Sequence, residues 1–170
     1  LRSKKSIEEA ISKANASRRK PGNLAYQTYE HESLNLSASS NKSYNVRPDN
    51  CLWHLTDGII EPPDFKHYYE SQVVWTDKTP DQAPDWVALE FKKSITAGKV
   101  VIYPVANSVK DVDIQLWVDN AWKSVKSVKN LDGNRHEITF APHKTDKVRV
   151  VVNATRGANV KISEIEVYEK

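Results

Sequence analysis

From residue 85 to residue 168 the chain repeats short apolar–polar alternations broken by turn residues. That pattern excludes most folds. Val112, Ile114, Leu116 and Val118 alternate with Asp113, Gln115 and Trp117, the period of a strand buried on one face. Asp119-Asn120 reads as a turn, with Ala121-Trp122-Lys123-Ser124-Val125 as the returning arm of a hairpin. The segments 86–91 and 99–103 read as strands before this hairpin, and 136–140, 147–152 and 160–168 as strands after it. No helical periodicity separates them, so the crossovers of a parallel sheet have no sequence to build them. The expected fold is all-β, a sandwich of two antiparallel sheets with a short N-terminal helix.

That helix is expected over 6–19. Ile7, Ala10, Ile11 and Ala14 share one face, Ser6 and Glu9 have the spacing of a capping box, and Pro21-Gly22 ends the run. The apolar face is narrow. It fits either a neighbouring domain of a longer chain or the sandwich itself. Charge separates this segment from the rest. Residues 1–22 carry seven of the 25 basic side chains and two of the 22 acidic ones, which leaves 18 basic against 20 acidic beyond. The basic excess reads as a solvated helix face and implies no nucleic-acid partner. Residues 1–22 are therefore read as helix and linker, and 23–170 as one domain, long enough for a single core.

Cys51 is the only cysteine, so an internal disulfide and a multi-cysteine zinc site are excluded. Its apolar surroundings suit an inert thiol. No apolar run reaches the length of a membrane span. The chain starts at Leu1 and has no methionine, which reads as a piece of a longer protein. Residues 34–38 alternate like a short strand, whereas Leu55 to Pro84 reads as long loops, because its paired prolines cannot donate to a ladder. Within that stretch, Leu55-Thr56-Asp57-Gly58 is a turn with a carboxylate. Glu164 in the last strand offers a second carboxylate, and the two segments are expected to meet.

Several short motifs occur in order: Asn23-Leu24-Ala25, Ser37-Ala38-Ser39-Ser40, Leu55-Thr56-Asp57-Gly58 and 84–91 (PDWVALEF). They continue with Val100-Val101-Ile102-Tyr103-Pro104, the turn at 119–122, Lys147-Val148-Arg149-Val150 and the closing 162–168 (ISEIEVY). Together they resemble the discoidin family, also called the coagulation factor V/VIII C-type domain, and within it the bacterial family 32 carbohydrate-binding modules. The resemblance covers residues 23–170. It implies a galactose-binding-like jelly roll in which Trp86 and Trp122 pack in the core and Trp75 is a framework residue. It also implies one structural Ca²⁺, a hard cation held by carboxylates and backbone carbonyls. The matching positions are the carbonyls of His54, Ile59 and Ser163 and the carboxylates of Asp57 and Glu164. Pro62 stands where the family usually has a Thr or Ser hydroxyl.

Ligands of the family bind at the loop-bearing end of the sandwich. The arginine that usually follows the Tyr-Pro of the strand is absent after Tyr103-Pro104. The candidates for ligand contact are His67, Tyr68, Tyr69, Asn107 and Arg156, with Trp53 and Trp117 as further aromatics. The function implied is a non-catalytic carbohydrate-binding module of a secreted or cell-surface polysaccharide-active protein, with a glycan ligand and neighbouring domains as partners. The alternative is an adhesion or protein- or phospholipid-binding domain. The loops lack a pair of protruding apolar residues, apart from Phe65 and Ile59-Ile60, which argues against membranes. No nucleophile–base constellation, HExxH or phosphate loop is present. Asp64 and Glu70 read as solvated charges and not as a glycosidase pair.

Overall fold

The computed structural model describes residues 3–27, 34–42, 52–60 and 74–170. Cys51, Pro62, Asp64, Phe65, His67, Tyr68, Tyr69 and Glu70 lie outside the described residues. Helix α1 (Lys4–Arg18) is followed by β1 (Leu34–Ala38), a 3₁₀ turn (Leu52–Thr56), β2 (Trp75–Thr76) and β3 (Asp85–Pro104). Then come β4 (Val109–Val118), β5 (Ala121–Val128), β6 (His136–Thr155) and β7 (Lys161–Tyr168). Every strand pairing is antiparallel, in the order β2-β7-β3-β6-β4-β5, with β1 on β3. No helix among the described residues is long and apolar enough to cross a membrane.

Strands β3 and β6 depart from expectation. Each joins two segments read as separate strands into one strand of 20 residues. Their pairing continues through the polar stretch between, with register shifts at Glu90/Ile95 and Ala97/Lys99. The first half of β3 and the second half of β6 form one layer with β1, β4 and β5. The remaining halves form the other layer with β7 and β2. Inward side chains of both layers meet in one core: Val87, Leu89, Ile114, Leu116, Val148 and Val150 against Val100, Ile102, Ile138, Ile165 and Val167. The expected sandwich of antiparallel sheets is therefore present.

Three tryptophans differ in where they point. Trp75 is buried, and its indole N–H donates to the Ser40 carbonyl at 2.9 Å, as a framework residue should. Trp86 and Trp122 are not core residues. Val87 and Leu89 face inward, so Trp86 faces outward by strand alternation. Trp122 pairs with Trp117, the outward neighbour of buried Leu116. The two rings meet edge to face, with centroids 5.4 Å apart. Trp117 therefore packs against Trp122.

Helix α1 starts two residues earlier than its sequence suggested. Ser3 is the N-cap, accepting the Ser6 amide at 3.2 Å, which displaces Ser6 from that role. Ile7 and Ile11 are 46% and 47% exposed, so the apolar stripe does not lie on the sandwich. Only the helix end docks. The Arg18 carbonyl would sit 2.7 Å from a Cβ on Gly58, whose φ is +77°, so this contact admits glycine alone. Gly98 is equally confined, because a Cβ there would collide with the Glu169 carbonyl and stand 3.0 Å from Pro142 Cγ. Gly98→Ala is expected to cost about 1–3 kcal/mol, read as a lower denaturant midpoint with an unchanged slope.

Candidate functional site

The Asp57 turn and the last strand meet. Asp57 Oδ1 accepts the Ile59 amide at 2.8 Å, an Asx-type turn, and its Oδ2 lies 2.8 Å from His54 Nδ1. Across the chain, Glu164 Oε1 accepts the Gly58 amide at 3.0 Å. Glu164 is fully buried, and its Oε2 has no hydrogen-bond partner among the described residues. Burial first, and the Asp57 charge second, push the Glu164 carboxyl well above the usual carboxylate range. His54 stacks on Trp53 with centroids 3.9 Å apart, which holds the imidazole against Asp57. Ile59 closes this turn, and Ser163 precedes Glu164 with its hydroxyl donating to the Tyr103 carbonyl at 3.2 Å. Among the described residues no three His, Cys, Asp or Glu side chains converge. A cation here would need Asp57, Glu164 and backbone oxygens.

Glu166, two residues on, is resolved differently. Lys20 Nζ lies 2.9 Å from its Oε2, and the Tyr103 hydroxyl donates to its Oε1 at 2.9 Å. Burial works against the charged Lys20, but its bonds to Tyr103 and Glu166 outweigh that and raise its pKa. Tyr168 stands on the same face. Burial, then the Glu166 charge, pushes its phenol up to about 12. The folded chain thus keeps a proton that the unfolded phenol gives up near its ordinary value of about 10. Stability is expected to fall as pH rises through that window, with Tyr168 ionising late in an ultraviolet titration.

Asn107 and Arg156 come together at the end of the sandwich, on the loops before β4 and after β6. Arg156 Nη1 donates to Asn107 Oδ1 and to the Val109 carbonyl, both at 3.2 Å. Asn107 Oδ1 also accepts the Gly133 amide at 2.8 Å, and its Nδ2 donates to Asp132 at 2.7 Å. Its own amide donates to Asn134 Oδ1 at 2.7 Å. Ala106 and Asn107 have φ of 54° and 52°, a left-handed pair that Asn tolerates better than most residues. One side chain therefore ties three loops and orients the guanidinium. Removing it is expected to do more than delete a surface contact. Asn107→Ala should lower stability by about 1–3 kcal/mol and weaken any ligand held by Arg156, measured by melting and by titration.

Sequence reading passes over the outward face of the first layer. Arg149 lies over the Trp122 ring, 4.3 Å from its centroid, and 5.5 Å from that of Trp86. Lys147 lies 5.1 Å from the Trp117 centroid. The signal was the parity of β6, where Lys147 and Arg149 alternate with buried Val148 and Val150.

The model of the F5/F8 type C family described as a NedA-like, galactose-binding domain matches residues 54–150, more than half of the chain. The chain belongs to this family. Solved structures agree on the fold of this galactose-binding domain. A fucose-binding module of Streptococcus pneumoniae is 23% identical, with a TM-score of 0.64 over 89% of this chain and 99% of that one. The family 32 module of Clostridium perfringens NanJ, solved with galactose, is 19% identical, with a TM-score of 0.63 over 81% and 94%. Chitosan-binding module 1 of a Paenibacillus sp. IK-5 chitosanase/glucanase is 20% identical, with a TM-score of 0.62 over 86% and 98%. No curated protein matches the chain. The domain thus has the fold of carbohydrate-binding modules.

Proposed function

We propose that this chain is a non-catalytic carbohydrate-binding module of a secreted polysaccharide-active protein, and that it holds glycan at the loop end around Asn107 and Arg156. The match to the galactose-binding family carries this reading, since similar folds are solved with galactose or named for fucose and chitosan. The loop-end geometry suits it. An arginine fixed by an asparagine, rather than by a carboxylate ion pair, presents directed donors to sugar hydroxyls. Such a module would act by raising the local concentration of an attached catalytic domain at its substrate. Binding of mono- or oligosaccharides in a calorimetric screen tests the reading. No affinity for any of them at about millimolar concentration, some 4 kcal/mol of binding free energy, would sink it.

The Asp57–Glu164 pair is assigned to a structural Ca²⁺. The residues fit a hard cation. A buried carboxylate oxygen lacks a partner beside a second carboxylate, and the carbonyls of His54, Ile59 and Ser163 belong to the same two segments. The ion would neutralise the pair and tie the first turn to the last strand. Calcium at about a hundred times its Kd should stabilise the chain by about 2.7 kcal/mol, and chelator should reverse this. Glu164→Gln should abolish the response. A melting temperature indifferent to both calcium and chelator in the unmodified chain would refute the assignment.

A further inference from the structure

Outward faces of sandwich layers are usually polar and solvated. Here, three of the five tryptophans, Trp86, Trp117 and Trp122, stand half-buried on one such face. They form one continuous patch across β3, β6, β4 and β5. Arg149 is paired with Ala88 on one side and Gln115 on the other, and Trp117 with Trp122. Four strands span about 14 Å, the scale of a short oligosaccharide rather than of one sugar. The end of helix α1 docks at Gly58.

The charge on the face is unbalanced in a particular way. Arg149 Nε and Nη2 both donate to the Gln115 amide oxygen, at 2.9 and 2.5 Å. The guanidinium is thus held by a neutral partner, with its Cζ over the Trp122 and Trp86 rings. Among the described residues it has no ion pair. Glu90, on the same face, lies 3.9 Å from Lys147, and Asp113 lies two residues along β4 from Gln115 without pairing to Arg149. Burial alone depresses the Arg149 pKa, with no carboxylate working against it. A guanidinium that is partly buried, oriented and left without a counter-charge is prepared for an anion. Indoles around it suit the C–H face of a sugar ring.

We propose that this face is a second saccharide site, separate from the loop end, and that it takes an acidic glycan whose ring carboxylates reach Arg149 and Lys147 while its sugar rings pack on Trp117 and Trp122. The site deepens the reading of the chain as a glycan-binding module and rests on it. A neutral glycan would leave Arg149 uncompensated, whereas a uronic-acid chain supplies one carboxylate per residue.

The test titrates the chain by calorimetry and tryptophan fluorescence with an oligogalacturonide and with the corresponding neutral oligogalactoside. The acidic ligand should bind with a fluorescence change, and more weakly as salt rises. Arg149→Gln should reduce the ratio of acidic to neutral affinity about ten- to a hundredfold, and Arg149→Lys should recover part of it. Trp122→Ala, on an edge strand that tolerates truncation, should weaken the acidic ligand, with circular dichroism confirming the fold. Oligogalacturonide affinity that is absent, or equal in the unmodified chain and in both the glutamine and alanine variants, overturns the second site. Neutral binding would then still support the loop-end reading. Failure of every saccharide overturns both.

Discussion

The pairing of β3 with β6 holds this structure together. Both strands run 20 residues and cross from one layer to the other while staying hydrogen-bonded. Neither layer can form without half of each strand, so the core between them closes as one unit. Their partners lie roughly 50 residues apart in sequence, and such non-local closure is paid for in chain entropy before any core contact forms. Everything of functional interest hangs from these two strands. Tyr103 lies near the end of β3 and the Asn107 loop follows it, Arg156 follows β6, and β7 with its carboxylates adds to the second half of β3.

The second layer carries its acidic residues on the face turned away from the core, under residues 20–27. The Leu24 amide donates to the Val167 carbonyl, and Asn23 Oδ1 accepts the Val167 amide, so this segment runs along the free side of β7. Lys20 of this segment reaches Glu166, whereas the turn at Gly58 reaches Glu164. The two then differ by what the covering chain supplies. Glu166 receives an ammonium and a phenol, and its charge is balanced. Glu164 receives one backbone amide and faces another carboxylate. The contrast between neighbours on one strand leaves Glu164 as the carboxyl whose charge no described side chain balances, and its burial favours the protonated form.

Much of this was legible in sequence. The alternation of β4 gave its inward face residue by residue, and Asp119-Asn120 adopts the left-handed pair, φ 51° and 59°, that a two-residue hairpin requires. The meeting of Asp57 with Glu164 was legible because both sit in short motifs at fixed places in the family. The continuity of β3 and β6 was hidden. Lys92-Lys93-Ser94 and His143-Lys144 are exposed; the ladder skips the first three and resumes at Ile95, where Thr96 and Ala97 pair with Lys144 and His143 without any apolar signal. The family resemblance places Trp86 and Trp122 in the core against the parity of their own strands: an inward Val87 already turns Trp86 outward. Ser3 was overlooked as a cap because Ser6 offered the more familiar spacing. The knot around Asn107 joins residues from three loops, a coincidence that no local pattern encodes.

Strand β5 bounds the tryptophan face, and among the described residues it pairs only with β4. An open strand beside half-buried aromatics would ordinarily recruit a strand from another molecule. Here the edge is broken by a register shift at Ile114/Gln115, and Lys123 and Lys126 stand exposed along it. Their charges repel an identical edge approaching from outside. The sheet can therefore display three indoles to solvent while discouraging the chain from adding strands to itself, so that the aromatic surface remains available to something other than another copy.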